Sequence, residues 1–141
     1  MPFDFEGSSG TWKVMKTSGN YPQVMQKLGM SAGDPEKLMQ IEVWAEVKDL
    51  GDNKYSFKSK MMGLEMGNTF KLGEECEETD FAGNKRRVTF TVEGDDLVAV
   101  YPSYDGQGLQ VQQTRTRTDQ NTMRMTFKIG ELVGWNEAQK M

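Results

Sequence analysis

From residue 41 onward the chain alternates hydrophobic and polar side chains in short runs punctuated by glycine, asparagine and aspartate. A period of two sends successive side chains to opposite faces of a pleated strand, so the pattern predicts antiparallel β-structure rather than helix. In 41–48, Ile41, Val43, Ala45 and Val47 share one face, opposite Glu42, Trp44, Glu46 and Lys48. After the turn signal Gly51-Asp52-Asn53, Tyr55, Phe57, Ser59 and Met61 alternate with Ser56, Lys58 and Lys60. Further strands are predicted at Gly67–Leu72, Glu75–Thr79, Lys85–Val92, Leu97–Pro102 and Gly108–Thr118. The cleanest alternation sets Met123, Met125, Phe127 and Ile129 against Thr122, Arg124, Thr126 and Lys128, and a last strand runs from Glu131 to Glu137. With Gly10–Lys16 at the front, this makes roughly ten strands at nearly regular spacing, as in a sandwich or barrel.

One stretch breaks the period. Tyr21, Val24, Met25 and Leu28 recur at helical spacing, with Pro22 in the first turn and Gly29 just beyond the end, which predicts a helix over Tyr21–Leu28. A second short helix is predicted over Asp34–Gln40, with Asp34 as N-cap, Pro35 at the first helical position and Leu38 and Met39 apolar. No long linker or solenoid-period repeat interrupts residues 1–141, which read as a single domain.

Composition narrows the function classes. The 141 residues are 36% hydrophobic and 27% charged, in the range of an ordinary folded domain. No apolar run approaches the roughly 20 residues of a membrane-crossing helix. The start, Met1-Pro2-Phe3-Asp4-Phe5-Glu6, lacks the basic-then-apolar order of a secretory signal. Because Cys76 is the one cysteine, no internal disulfide can form, and a cytoplasmic location is expected. A net charge of −4 disfavours nucleic acid as a partner. With no histidine and one cysteine, an ordinary zinc site and Ser-His or Cys-His catalysis are not expected. Glu75, Glu77 and Glu78 read as solvated strand-and-turn charges. The expectation is therefore a protein without enzymatic activity, metal or cofactor, monomeric, with Lys13, Lys16 and Lys27 available for transient contact with a membrane surface.

Several motifs, in order, carry a resemblance. Gly10-Thr11-Trp12-Lys13-Val14 is similar to a Gly-x-Trp-Lys opening, and Asn20-Tyr21 with Met25-Gln26-Lys27-Leu28-Gly29 to a first helix. Thr69-Phe70-Lys71-Leu72-Gly73-Glu74-Glu75 matches a mid-chain Phe-Lys-Leu-Gly motif; Glu77-Glu78-Thr79 and Tyr104-Asp105-Gly106-Gln107 follow in register. Together they resemble the fatty-acid-binding protein family of intracellular lipid-binding proteins, which are calycin-type barrels. The resemblance implies an all-β fold: a roughly ten-stranded antiparallel up-and-down barrel (a clam) with a two-helix lid between the first two strands. It also implies a non-catalytic carrier that holds a hydrophobic ligand, such as a long-chain fatty acid, inside the barrel and delivers it between membranes or proteins.

The strand alternation offers Met61, Val111, Met125 and Phe127 as inward positions, and the resemblance adds Tyr21, Met25 and Leu28 at a helical portal with Phe81 near its rim. Fatty-acid binders of the family hold the carboxylate with an arginine in the eighth strand and an Arg-x-Tyr pair in the last. Counting from Tyr104, the first position falls on Gln113, or with a shifted alignment on Arg115. Leu109, Val111, Gln113, Arg115 and Arg117 share one face. Alternatively, Arg115 and Arg117 belong to a solvated loop beside Asp119. The Arg-x-Tyr pair becomes Asn136-x-Ala138, which lacks the bidentate cation. Two ligand classes follow: a fatty acid with Arg115 as its sole cation, or a neutral retinoid-like or pigment ligand held by the Gln113 and Asn136 amides.

Overall fold

The computed structural model describes residues 5–28, 42–61, 63–79 and 85–141. A single 3-10 turn at Glu6–Ser8 leads into β1 (Gly10–Thr17), followed by helix α1 (Tyr21–Lys27) and then β2 (Glu42–Gly51), β3 (Lys54–Met61), β4 (Leu64–Lys71) and β5 (Glu75–Thr79). The second half is a meander of β6 (Lys85–Glu93), β7 (Asp96–Tyr101), β8 (Val111–Asp119), β9 (Thr122–Ile129) and β10 (Leu132–Lys140). All ten strands form one antiparallel sheet in the order β4-β3-β2-β1-β10-β9-β8-β7-β6-β5. Chain neighbours pair throughout except β4 and β5, β1 pairing with β2 although α1 intervenes, and the sheet rolls into a barrel because β1 also pairs with β10. The edges, β4 and β5, meet through side chains: Asn68 Nδ2 lies 4.0 Å from Cys76 Sγ.

The period of two fixes which residues face inward. Cross-strand partners share a face, so the rows Trp12–Val43–Met61, Leu97–Arg115–Met125–Asn136 and Ala99–Gln113–Phe127–Gly134 all lie on the inner wall. One end of the barrel is closed by packed rings. Phe5 stacks on Tyr55 at 4.2 Å between centroids, Tyr55 on Phe70 at 5.5 Å, and Phe70 meets Phe90 at 4.4 Å. Trp12 Nε1 donates to the Ser8 carbonyl at 2.9 Å and completes this floor.

The other end carries α1, clasped to β10. Ser18 N donates to the Trp135 carbonyl, Trp135 N returns a bond to Ser18 Oγ, and Ser18 Oγ donates to Asn20 Oδ1. Asn20 Nδ2 then donates to the Val133 carbonyl at 2.7 Å. Gly134 makes the close approach possible. A Cβ there would sit 2.5 Å from Val24 Cγ2 and 3.1 Å from both Asn20 Oδ1 and Ser18 Oγ. Val24 is fully buried in this contact.

Several strand boundaries differ from the sequence expectation. β4 begins at Leu64 rather than Gly67, because Leu64–Phe70 ladders fully with β3 although Asn68 interrupts its apolar face. β8 begins at Val111 rather than Gly108: Asp105 Oδ1 accepts from Gln107 N and Ser103 Oγ from Gly108 N, fixing a loop there. β10 runs on to Lys140, since Ala138, Gln139 and Lys140 form the closing ladder with β1. The expected second helix at Asp34–Gln40, Ile41 and Phe81 lie outside the described residues.

Gly134→Val should lower stability by about 1–3 kcal/mol, the usual cost of an overpacked contact, read as a fall in thermal midpoint. Adding Val24→Ala should recover part of that loss. Simple additivity of the two changes would contradict the close-approach account.

Candidate ligand-binding site

Polar side chains on an inner wall are costly unless paired, so their placement marks a site. On β8, Gln113 lies between Ala99 and Phe127, and Arg115 between Leu97 and Met125. On β10, Asn136 lies beside Met125. From above, α1 lowers Tyr21 onto this wall. Asn136 Nδ2 donates to Tyr21 Oη at 2.9 Å, and the Tyr21 ring tilts toward Phe127 at 6.2 Å. Tyr21, Gln113, Arg115, Met125, Phe127 and Asn136 are thus brought together by α1, β8, β9 and β10.

The remaining expected residues surround them. Val111 is buried one row above Gln113, beside Tyr101. Met25 and Leu28 are buried under α1. Met61 lies on β3 in another part of the inner wall, between Val43 and Leu64. Several inward side chains (Phe57, Met61, Arg115 and Met125) are only half-buried.

The electrostatics of this wall are uneven. Gln113 is 9% exposed and Asn136 6%. Among the described residues, the Gln113 amide makes no side-chain hydrogen bond and the Arg115 guanidinium no ion pair. The ion pairs Lys48–Glu46, Lys85–Glu77, Arg87–Glu75 and Arg124–Glu137 all lie on the outward parity of their strands. Arg117 is in β8 and not in a loop, but its guanidinium donates to the carbonyls of Gln120 at 2.6 Å and Asp119 at 3.4 Å. It also lies 5.6 Å from the Trp12 ring centre, which ties it to the β8–β9 turn and the floor.

Sequence reasoning missed one polar pair. Glu75 and Glu77 are solvated as expected, but Glu78 is 7% exposed and accepts the Tyr101 hydroxyl, with Oη 3.1 Å from each carboxylate oxygen. The signal was available: Glu78 has the parity of inward Cys76, and the β6 partners of these two residues are Arg86 and Val88. Tyr104 packs edge-on against Tyr101 at 5.0 Å, with the Arg86 guanidinium 3.8 Å from the Tyr104 ring centre. Burial, then the nearby Glu78 carboxylate, pushes the Tyr101 phenol well above its usual value, with Arg115 opposing. Burial also raises the Tyr21 phenol, partly offset by the Asn136 bond.

Such a wall can hold an apolar chain and receive a polar end group at one cation and two amides. Among the described residues no cluster of three or more acidic, cysteine or histidine side chains could hold a metal, and no helix is long and apolar enough to cross a membrane. Fold and site together define a ten-stranded barrel whose inner wall sets polar side chains among apolar ones. The chain belongs to the lipocalin / cytosolic fatty-acid binding protein family, whose model matches residues 8–131. It is 33% identical to rat gastrotropin over 85 residues, which span 60% of this chain and 66% of that protein, just under two thirds of its length. The fatty-acid-binding protein 1 of Echinococcus granulosus superposes with a TM-score of 0.74 at 25% identity, covering 96% of this chain and 98% of that one. A Schistosoma mansoni fatty acid binding protein, solved in complex with arachidonic acid, has the same fold (TM-score 0.75, 19% identity, 97% and 98% covered).

Alkaline titration checks the buried phenols. Both raised values mean that the unfolded chain loses these protons first, so stability is intact below about pH 10 and falls as pH rises beyond it. At least two of the four tyrosines should resist ionisation, followed at 295 nm, until the fold opens. Ionisation of all four in the folded protein near pH 10 would contradict the assigned burial.

Proposed function

We propose that this protein is a non-catalytic carrier that takes one hydrophobic ligand into the barrel, with its anionic end at Arg115. The observation that carries this reading is an inward, half-buried guanidinium with no protein carboxylate paired to it among the described residues. A cation facing a low-dielectric interior favours a counter-ion, and a ligand carboxylate supplies one through charge-assisted hydrogen bonds. Burial of an acyl chain adds about 25 cal/mol per Å² of apolar surface, so retention needs no covalent step. The arachidonic acid held by the Schistosoma relative supports a fatty-acid ligand. Met25, Leu28, Met61, Val111, Met125 and Phe127 would contact the chain, and the unbranched thioethers adapt to flexible ligands.

We place the carrier in the cytosol as a monomer that releases its ligand during brief membrane or protein encounters, helped by Lys13, Lys16 and Lys27. A second reading has one observation in its favour: two amide-bearing residues, Gln113 and Asn136, flank the arginine. On that reading the ligand is a neutral retinoid-like or pigment molecule.

Calorimetric titration of Arg115→Ala with oleate and with retinol separates the two. Loss of a hydrogen-bonded charge pair should weaken oleate binding about 10- to 100-fold and leave retinol nearly unchanged. Unchanged oleate affinity would remove Arg115 from the site and favour the neutral ligand.

A further inference from the structure

We infer that the protein reduces lipid hydroperoxides that enter its barrel, with Met61 and Met66 as the sacrificial oxygen acceptors. This rests on the carrier reading above and adds a reaction to it. Met61 on β3 shares the inward row of Trp12 and Val43. Met66 on β4 pairs with Ser59, which has the parity of Met61, so it faces inward too. The two are diagonal neighbours, about 7–8 Å apart, which long side chains can bridge. Both are only half-buried.

Their position suits a ligand anchored at Arg115. In the ring of ten strands, β3 stands five places from β8 in either direction, on the opposite wall. A fatty acid whose carboxylate lies at Arg115 therefore extends its middle toward β3 and β4. Unsaturated chains acquire hydroperoxides there, beside their double bonds. A thioether sulfur attacks the terminal peroxide oxygen, and the O–O bond breaks. The proton of that oxygen passes to the departing alkoxide, leaving a methionine sulfoxide and a hydroxy fatty acid. Sulfur gives up two electrons and the peroxide takes them, so no further reactant is needed. Holding the peroxide beside the sulfur replaces a slow encounter in water by a reaction within one complex. Cys76 competes poorly. Burial, then the Glu78 carboxylate, holds its thiol above the usual value and keeps it protonated.

The test uses the intact protein with one equivalent of linoleic acid hydroperoxide or of hydrogen peroxide, followed by peptide mass mapping. Hydrogen peroxide should first oxidise Met15 and Met141, which are 48% and 67% exposed. The lipid hydroperoxide should first oxidise Met61 or Met66, about tenfold or more ahead of Met15, because only the bound oxidant gains from proximity. Excess oleate should protect Met61 and Met66 but not Met15, and hydroxy fatty acid should appear in step with the sulfoxide. The double variant Met61→Leu/Met66→Leu, a near volume-conserving change checked by its thermal midpoint, should lose most of that product. Oxidation led by any other residue, or the same order with both oxidants, would overturn the inference. If oleate still displaces a fluorescent apolar probe in that case, the carrier reading stands. Failure of oleate and of the hydroperoxide to displace the probe would overturn both.

Discussion

The pairing of β1 with β10 is the contact on which the rest of the structure depends. Residues 12–17 ladder with 136–140, and a bulge between Val14 and Lys16 lets the two strands stay in step around the curve. The seam joins segments more than a hundred residues apart, so its loop-closure entropy is among the largest in the fold. Two further hydrogen bonds reinforce it: the Lys140 side chain donates through Nζ to the Gly7 carbonyl, and the Met141 backbone N to the Thr11 carbonyl. Without this ladder, β10 would be an open edge, α1 would have no Gly134 groove to rest in, and Asn136 would not lie beneath Tyr21.

Closure also explains how polar groups come to face inward. Once alternation commits one face of each strand to the interior, a polar residue of that parity is carried inside whatever its own preference. Two solutions appear. Glu78 and Tyr101 pair with each other, and the Asn136 amide bonds to the Tyr21 phenol, so those groups contribute to stability. Gln113 and Arg115 share the inward face of β8 and make no side-chain pair of this kind among the described residues.

Most of the fold was legible in the sequence because the period of two is strong wherever one face is dry. Met123–Ile129 is the plainest example, and its predicted faces match the observed register. Boundaries were less legible where pairing, and not composition, decides them: Ala138–Lys140 looks like a polar tail, yet it forms the seam. At the site, Gln113 and Asn136 were found by their offsets from Tyr104 and Gly130, and their burial agrees with an inward position. Glu78 was misread because a run of acidic residues suggests solvent, while the parity that buries every second one is visible only when the strand is followed residue by residue. The Tyr101 partnership was invisible for a simpler reason: it spans two strands, and sequence spacing says nothing about which inward side chains meet.

Native mass spectrometry of the protein purified from its own source, with extraction of whatever it holds, tests the central claim most directly. The account predicts one bound amphiphile per chain, with a long apolar body and a carboxylate, released when the barrel is unfolded. A chain that is empty as isolated and then takes up neither a fatty acid nor a neutral apolar probe would contradict it, leaving the barrel as a fold without a carrier's function.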